Sequence, residues 1–106
     1  MLIGRVKGNV VATQKVSRVG GQKLLVVEPY SVDLSAKPPS LKPGGRVLVA
    51  VDTVGAGDDE CVLVTQGSSA RLTDFTGDMP VDAVIVGIID RVTVEGETIY
   101  KDRDQT

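Results

Sequence analysis

The segment Asp52-Thr53-Val54-Gly55-Ala56-Gly57-Asp58 is the part of this chain whose residue types could do chemistry. Glycines at 55 and 57 let consecutive backbone N–H groups converge on one anion, because glycine alone tolerates the dihedrals this needs without strain. An aspartate closing such a nest could act as a base beside developing phosphate charge. Directly after it, Asp58-Asp59-Glu60 sets three carboxylates in a row. Consecutive acids point different ways and lack the alternating spacing of a calcium loop, so they read as a solvated turn. Asp52 and Asp82 could form a carboxylate pair for acid–base work, but no second group or cleft accompanies them. They read instead as caps on backbone amides or as partners for Arg71 or Arg91. Cys61 opens an apolar strand and reads as a small core or interface residue rather than a reactive thiol.

Composition narrows the chemistry further. The chain has no histidine and one cysteine. That leaves no material for histidine acid–base catalysis, for Ser-His-Asp or Cys-His nucleophiles, or for a His/Cys metal cage. Fourteen acidic residues against 12 basic ones give a net charge of −2. Such a surface has no electrostatic reason to seek a phosphate backbone, and 3% aromatic residues are few for stacking on bases. No apolar run reaches the roughly 18 residues that cross a bilayer. The start, Met1-Leu2-Ile3-Gly4-Arg5, breaks its apolar stretch with charge at once, unlike a signal peptide. With a single unpaired thiol, the expected compartment is the reducing cytoplasm.

These residues must be positioned by a small β-rich domain. A chain of 106 residues fits one domain, 1–106, burying about 65% of its unfolded surface. Valine occurs 19 times, and its stiff, branched side chain suits a pleated surface better than a helix. Alternation predicts a long curved strand over 2–13, bent at Gly4 and Gly8, and another over 46–52. Residues 61–66 read as a strand, as do the near-continuous apolar runs over 23–28, which suggests burial on both faces, and 83–90. Residues 29–45 hold four of the five prolines without clean periodicity and are expected to form a long loop. Residues 67–73 are the one stretch that reads as helix, with Ser68 or Ser69 available as N-cap. Segments 91–94 and 97–100 flank Glu95-Gly96 as a possible terminal hairpin. The sum is all-β: a small, mainly antiparallel, five-stranded closed barrel of OB type with one short helix.

The Asp52–Asp58 segment matches a signature of ribokinase-class sugar kinases. That fold is α/β, about three times longer, and opens a helix after the motif, whereas here the segment joins two strands. A tight turn needing positive φ at Gly55 or Gly57 accounts for it better. A second resemblance covers far more of the chain. Gly4-x-Val6-x-Gly8-x-Val10-Val11-Ala12-Thr13-Gln14-Lys15, then Lys23–Val27, Ala50–Gly57, Gly67–Arg71 and Val81–Asp90, follow one another in an order and spacing that resembles the EutN/CcmL family of bacterial microcompartment vertex proteins.

The resemblance implies a pentamer of small barrels at the corners of a polyhedral protein shell, with flat facets of unrelated hexameric shell proteins as partners. It implies no enzyme, cofactor, nucleic acid or membrane, and a place in a shell inside the cytoplasm. Small residues let five backbones converge, so Gly55, Ala56 and Gly57 are candidates for the fivefold axis. Gly67, Ser68, Ser69, Ala70 and Arg71 are candidates for the contact between subunits, with Arg71 reaching a neighbour's carboxylate. The competing reading from the residues alone is a monomeric OB-type binding module for nucleic acid or a small ligand.

Overall fold

The computed structural model describes residues 1–11, 23–67 and 83–102. Eight strands follow in order: β1 (Leu2–Val10), β2 (Lys23–Asp33), β3 (Ser40–Pro43), β4 (Leu48–Asp52), β5 (Cys61–Gln66), β6 (Ala83–Ile88), β7 (Arg91–Val94) and β8 (Glu97–Lys101). The first six form a sheet in the order β1-β5-β6-β4-β2-β3, and β1 also pairs with β2. That extra pairing closes five strands, β1-β5-β6-β4-β2, into a barrel. All neighbours in the sheet run antiparallel except β4 and β6, which are parallel through Val51↔Val84 and Asp52↔Ile85.

Alternation fills the interior. Val6, Leu25, Val27, Ala50, Val62, Val64, Ala83 and Ile85 form one buried cluster, with Leu2, Leu48 and Ile88 packed against it. Branched and short side chains suit so narrow a lumen. Gly4 faces inward in the same strand as Val6, and a Cβ there would run into the Val27 side chain and lie 3.2 Å from the Glu28 carbonyl oxygen. The bend expected near Gly8 is a register shift between Val6 and Gly8, so β1 carries a bulge where it crosses β2.

The expected loop over 29–45 is corrected by the structure. β2 runs on through Pro29 to Asp33, and β3 pairs back on it from Tyr30↔Pro43 to Asp33↔Ser40. Proline is tolerated here for a geometric reason. Residues of an antiparallel strand point N–H and C=O to the same side. The Pro29 carbonyl accepts from Gly44 N–H at 3.0 Å, so its missing donor faces the gap between β3 and β4 and costs β1 nothing. Pro43 ends an edge strand, where proline is allowed. At the tip, Asp33 accepts from both the N–H and hydroxyl of Ser35, and these bonds hold its carboxyl below the usual range.

The terminal hairpin forms as β7 and β8 in a separate two-stranded sheet. Glu95 and Gly96 both take positive φ in its turn. Ile89 N–H ties the base of the hairpin to the Cys61 carbonyl, and Asp102 N–H closes its open end on the Asp90 carbonyl, each 2.8 Å. Arg5 bridges the two bodies, its guanidinium 5.8 Å from the Tyr30 ring centroid and 5.5 Å from that of Tyr100. Of the expected helix over 67–73, only Gly67 is described; Ser68 onward lies outside the described residues. Among those described, no helix is long and apolar enough to cross a membrane.

Candidate functional site

The turn after β4 is built around one carboxylate. Asp52 continues the inward-facing set begun by Ala50 and is 7% exposed. Its Oδ1 accepts from the N–H groups of Val54 (3.0 Å) and Gly55 (3.1 Å), and its Oδ2 accepts from Ala56 (2.9 Å). Glu60 Oε1 takes the next donor, Gly57 N–H, at 2.5 Å. Gly55 has φ 78°, the left-handed conformation that lets the chain double back over Asp52. Two further bonds fasten the turn: Lys23 Nζ donates to the Ala56 carbonyl at 3.1 Å and Thr53 Oγ1 to the Ile85 carbonyl at 2.7 Å.

This geometry decides the phosphate question. Four successive amides, 54 to 57, do converge as an anion nest, but the anions are the chain's own Asp52 and Glu60. A phosphate would have to displace four charge-assisted bonds, the one at Ala56 fully buried, and Asp58 sits exposed beyond the turn with no nest left to serve. Glycine placement signalled the nest correctly; the sequence reading of Glu60 as part of a solvated acidic turn missed that it completes it. Asp58 and Asp59 are exposed as expected, and among the described residues no group of acids or thiols could hold a metal ion.

The remaining candidates are placed as follows. Ala56 is 0% exposed and belongs to the core cluster, plugging the barrel's end, while Gly55 is exposed and Gly57 half-buried against Glu60. Gly67 is exposed at the end of β5 with φ 65°. Ser68, Ser69, Ala70, Arg71 and Asp82 lie outside the described residues. Cys61 is buried beside the hairpin, and desolvation raises its thiol above the ordinary value, partly offset by Arg5. A cavity of about 270 Å³ beside it is lined by Arg5, Asp59, Glu60, Tyr100, Lys101 and Asp102. Arg5 there already faces Asp59 at 3.9 Å and both tyrosines.

The described residues thus form a five-stranded barrel whose turn satisfies its own amides. The family model described as "Ethanolamine utilisation protein EutN/carboxysome" matches residues 1–90. The chain belongs to the EutN/CcmL family. Its relatives include the carboxysome shell vertex protein CcmL of Gloeobacter violaceus, 42% identical over 106 residues, covering 99% of this chain and 98% of the relative. The solved structure of Gloeobacter violaceus CcmL superposes with a TM-score of 0.83 at 41% identity, covering 98% of this chain and all of that one. GrpN of Rhodospirillum rubrum, a pentameric microcompartment shell protein, superposes with a TM-score of 0.71 at 42% identity over 89% of this chain and all of that one. The EutN/CcmL fold is therefore the closed barrel described above, and the ribokinase-like segment is one of its turns.

Proposed function

We propose that this chain is a structural vertex protein of a bacterial microcompartment shell in the cytoplasm, assembling as a homopentamer that fills a corner between facets of hexameric shell proteins. The observation that carries the reading is full-length kinship to shell vertex proteins, one of them pentameric, on a barrel whose 54–57 anion nest is occupied by its own carboxylates. The role is architectural, not catalytic. Arg71 supplies a directional contact to a neighbour's carboxylate, suited by its several donors. Of the small-residue turn, the exposed backbone at Gly55 is the part available to line a fivefold axis, since Ala56 is spent on the core. The monomeric binding module gains no support from a surface of net charge −2.

Native mass spectrometry tests this. Wild type is expected as a discrete pentamer of 11.1 kDa subunits, and Arg71→Glu as a weakened ring. A monomer at micromolar concentration would reject the pentamer; an Arg71→Glu variant as pentameric as wild type would reject only that contact. Co-expression with hexameric shell proteins is expected to give closed polyhedra that lose their corners when this chain is left out.

A further inference from the structure

An isolated barrel in water turns apolar side chains inward and polar ones outward along each strand. β2 and β4 break that rule. Leu25, Val27 and Ala50 fill the lumen, yet the alternate positions Leu24, Val26, Val49 and Val51 are apolar as well. Register sorts these outward residues into two rows: Val10 with Leu24 and Val51, and Gly8 with Val26 and Val49. The first row is closed within the chain, where Val51 is 1% exposed and clusters with Val84. The second is open. Val49 is 49% exposed, and Val47, just before β4, is 61% exposed. Glu28, next outward along β2, lies 3.7 Å from Lys7 and borders the valines with charge, giving an apolar centre and a polar rim.

Gly8 is a second, independent observation. Gly4 is required by the fold, because a side chain there would strike Val27. Among the described residues no atom lies within 4 Å of where a Cβ on Gly8 would be, and its φ is not positive. A bare backbone in line with Val26 and the exposed Val49 leaves a shallow hollow in the open row, where a neighbouring surface can approach closely.

We propose that this outer face, centred on Gly8, Val26 and Val49, is one half of the contact between neighbouring subunits, with a second copy of this chain seated over the valines and against the backbone at Gly8. The proposal rests on the pentamer reading above. A ring contact is heterologous, so each copy needs two unlike patches, and one of them must be matched by a different surface of the same protein. The valine centre carries no charge to select nucleic acid or an oppositely charged partner, and its β-branched side chains lose little freedom on being covered.

The test is sedimentation velocity with native mass spectrometry on the full chain, with circular dichroism to follow the fold. Val49→Glu is expected to lower ring affinity at least a hundredfold while the β spectrum persists. Gly8→Val meets no atom of the described residues and suits a strand, so it is expected to keep the monomer's melting temperature or raise it while weakening the ring at least tenfold. If Val49→Glu fails to fold, Val49→Thr keeps the shape and is expected to loosen the ring several-fold. A pentameric wild type whose Val49→Thr and Gly8→Val variants assemble equally well would overturn this face and leave the pentamer standing. A monomeric wild type would overturn both. Variants that remain pentameric but no longer join hexameric shell proteins would assign the face to that partner and overturn this assignment.

Discussion

At Asp52 one carboxylate meets three backbone donors, and that concentration makes it the residue whose loss the fold should feel most. Removing it orphans the amides of 54, 55 and 56 at the end of the core. The Ala56 donor is buried and the other two partly so, and a buried donor without a partner is penalised more than a missing exposed bond. Asp52→Ala is therefore expected to cost about 3 kcal/mol, read as a lowered urea midpoint with an unchanged slope. A loss below about 1 kcal/mol would show that water replaces the carboxylate freely. Asp58→Ala, at an exposed position, should change stability by less than about 0.5 kcal/mol. The capping role of Asp52 was legible in the sequence, since a carboxylate before Gly-x-Gly has donors within reach. The part played by Glu60 was not, because three consecutive acids carry no sign of which one turns back.

Among the strands, those that alternate against a single core were readable from residue types. Segment 61–66 sets Val62 and Val64 two apart and folds as a strand with both buried. The apolar run of 23–28 folds within β2 with only Leu25 and Val27 fully buried, so burial on both faces is not met. The β2–β3 extension is hidden because proline density reads as a break, whereas Pro29 and Pro43 sit where no ladder donor is needed. The outward valines of β4 were equally hard to interpret, since Val47, Val49 and Val51 alternate as cleanly as a core set does. Only the register with β2 shows that Ala50 faces the lumen. Gly4 gives the sharpest check on strand packing. Gly4→Ala should destabilise by about 1–3 kcal/mol in thermal or urea melts, the usual cost of overpacking. A variant as stable as wild type would mean that β1 and β2 can part more easily than their pairing implies.

In the molecule as a whole, the seam between barrel and terminal hairpin concentrates two groups that resist ionisation. Burial raises the Cys61 thiol, and burial followed by the neighbouring Cys61 raises the Tyr100 phenol. Both are neutral in the folded state at pH values where the unfolded chain has begun to lose its protons. Their contribution is thus complete below the ordinary thiol value of about 9 and is lost as pH climbs above it. Urea melts are expected to show little change from about pH 7 to 8.5 and a fall beyond about pH 9, steeper in wild type than in Cys61→Ala. Equal slopes in the two proteins would remove Cys61 from the account.

The place of β6 between β4, which it joins in parallel, and β5, which it joins antiparallel, also dictates an order of events during synthesis. Every earlier strand can find an antiparallel neighbour already made, but β4 and β5 each keep one open edge until residues 83–88 have emerged. Open edges of valine-rich strands invite the wrong neighbour, another nascent chain included. Closure is non-local and correspondingly slow. A polysome producing five copies side by side therefore holds, for most of translation, five incomplete barrels that must be kept apart before they can be brought together.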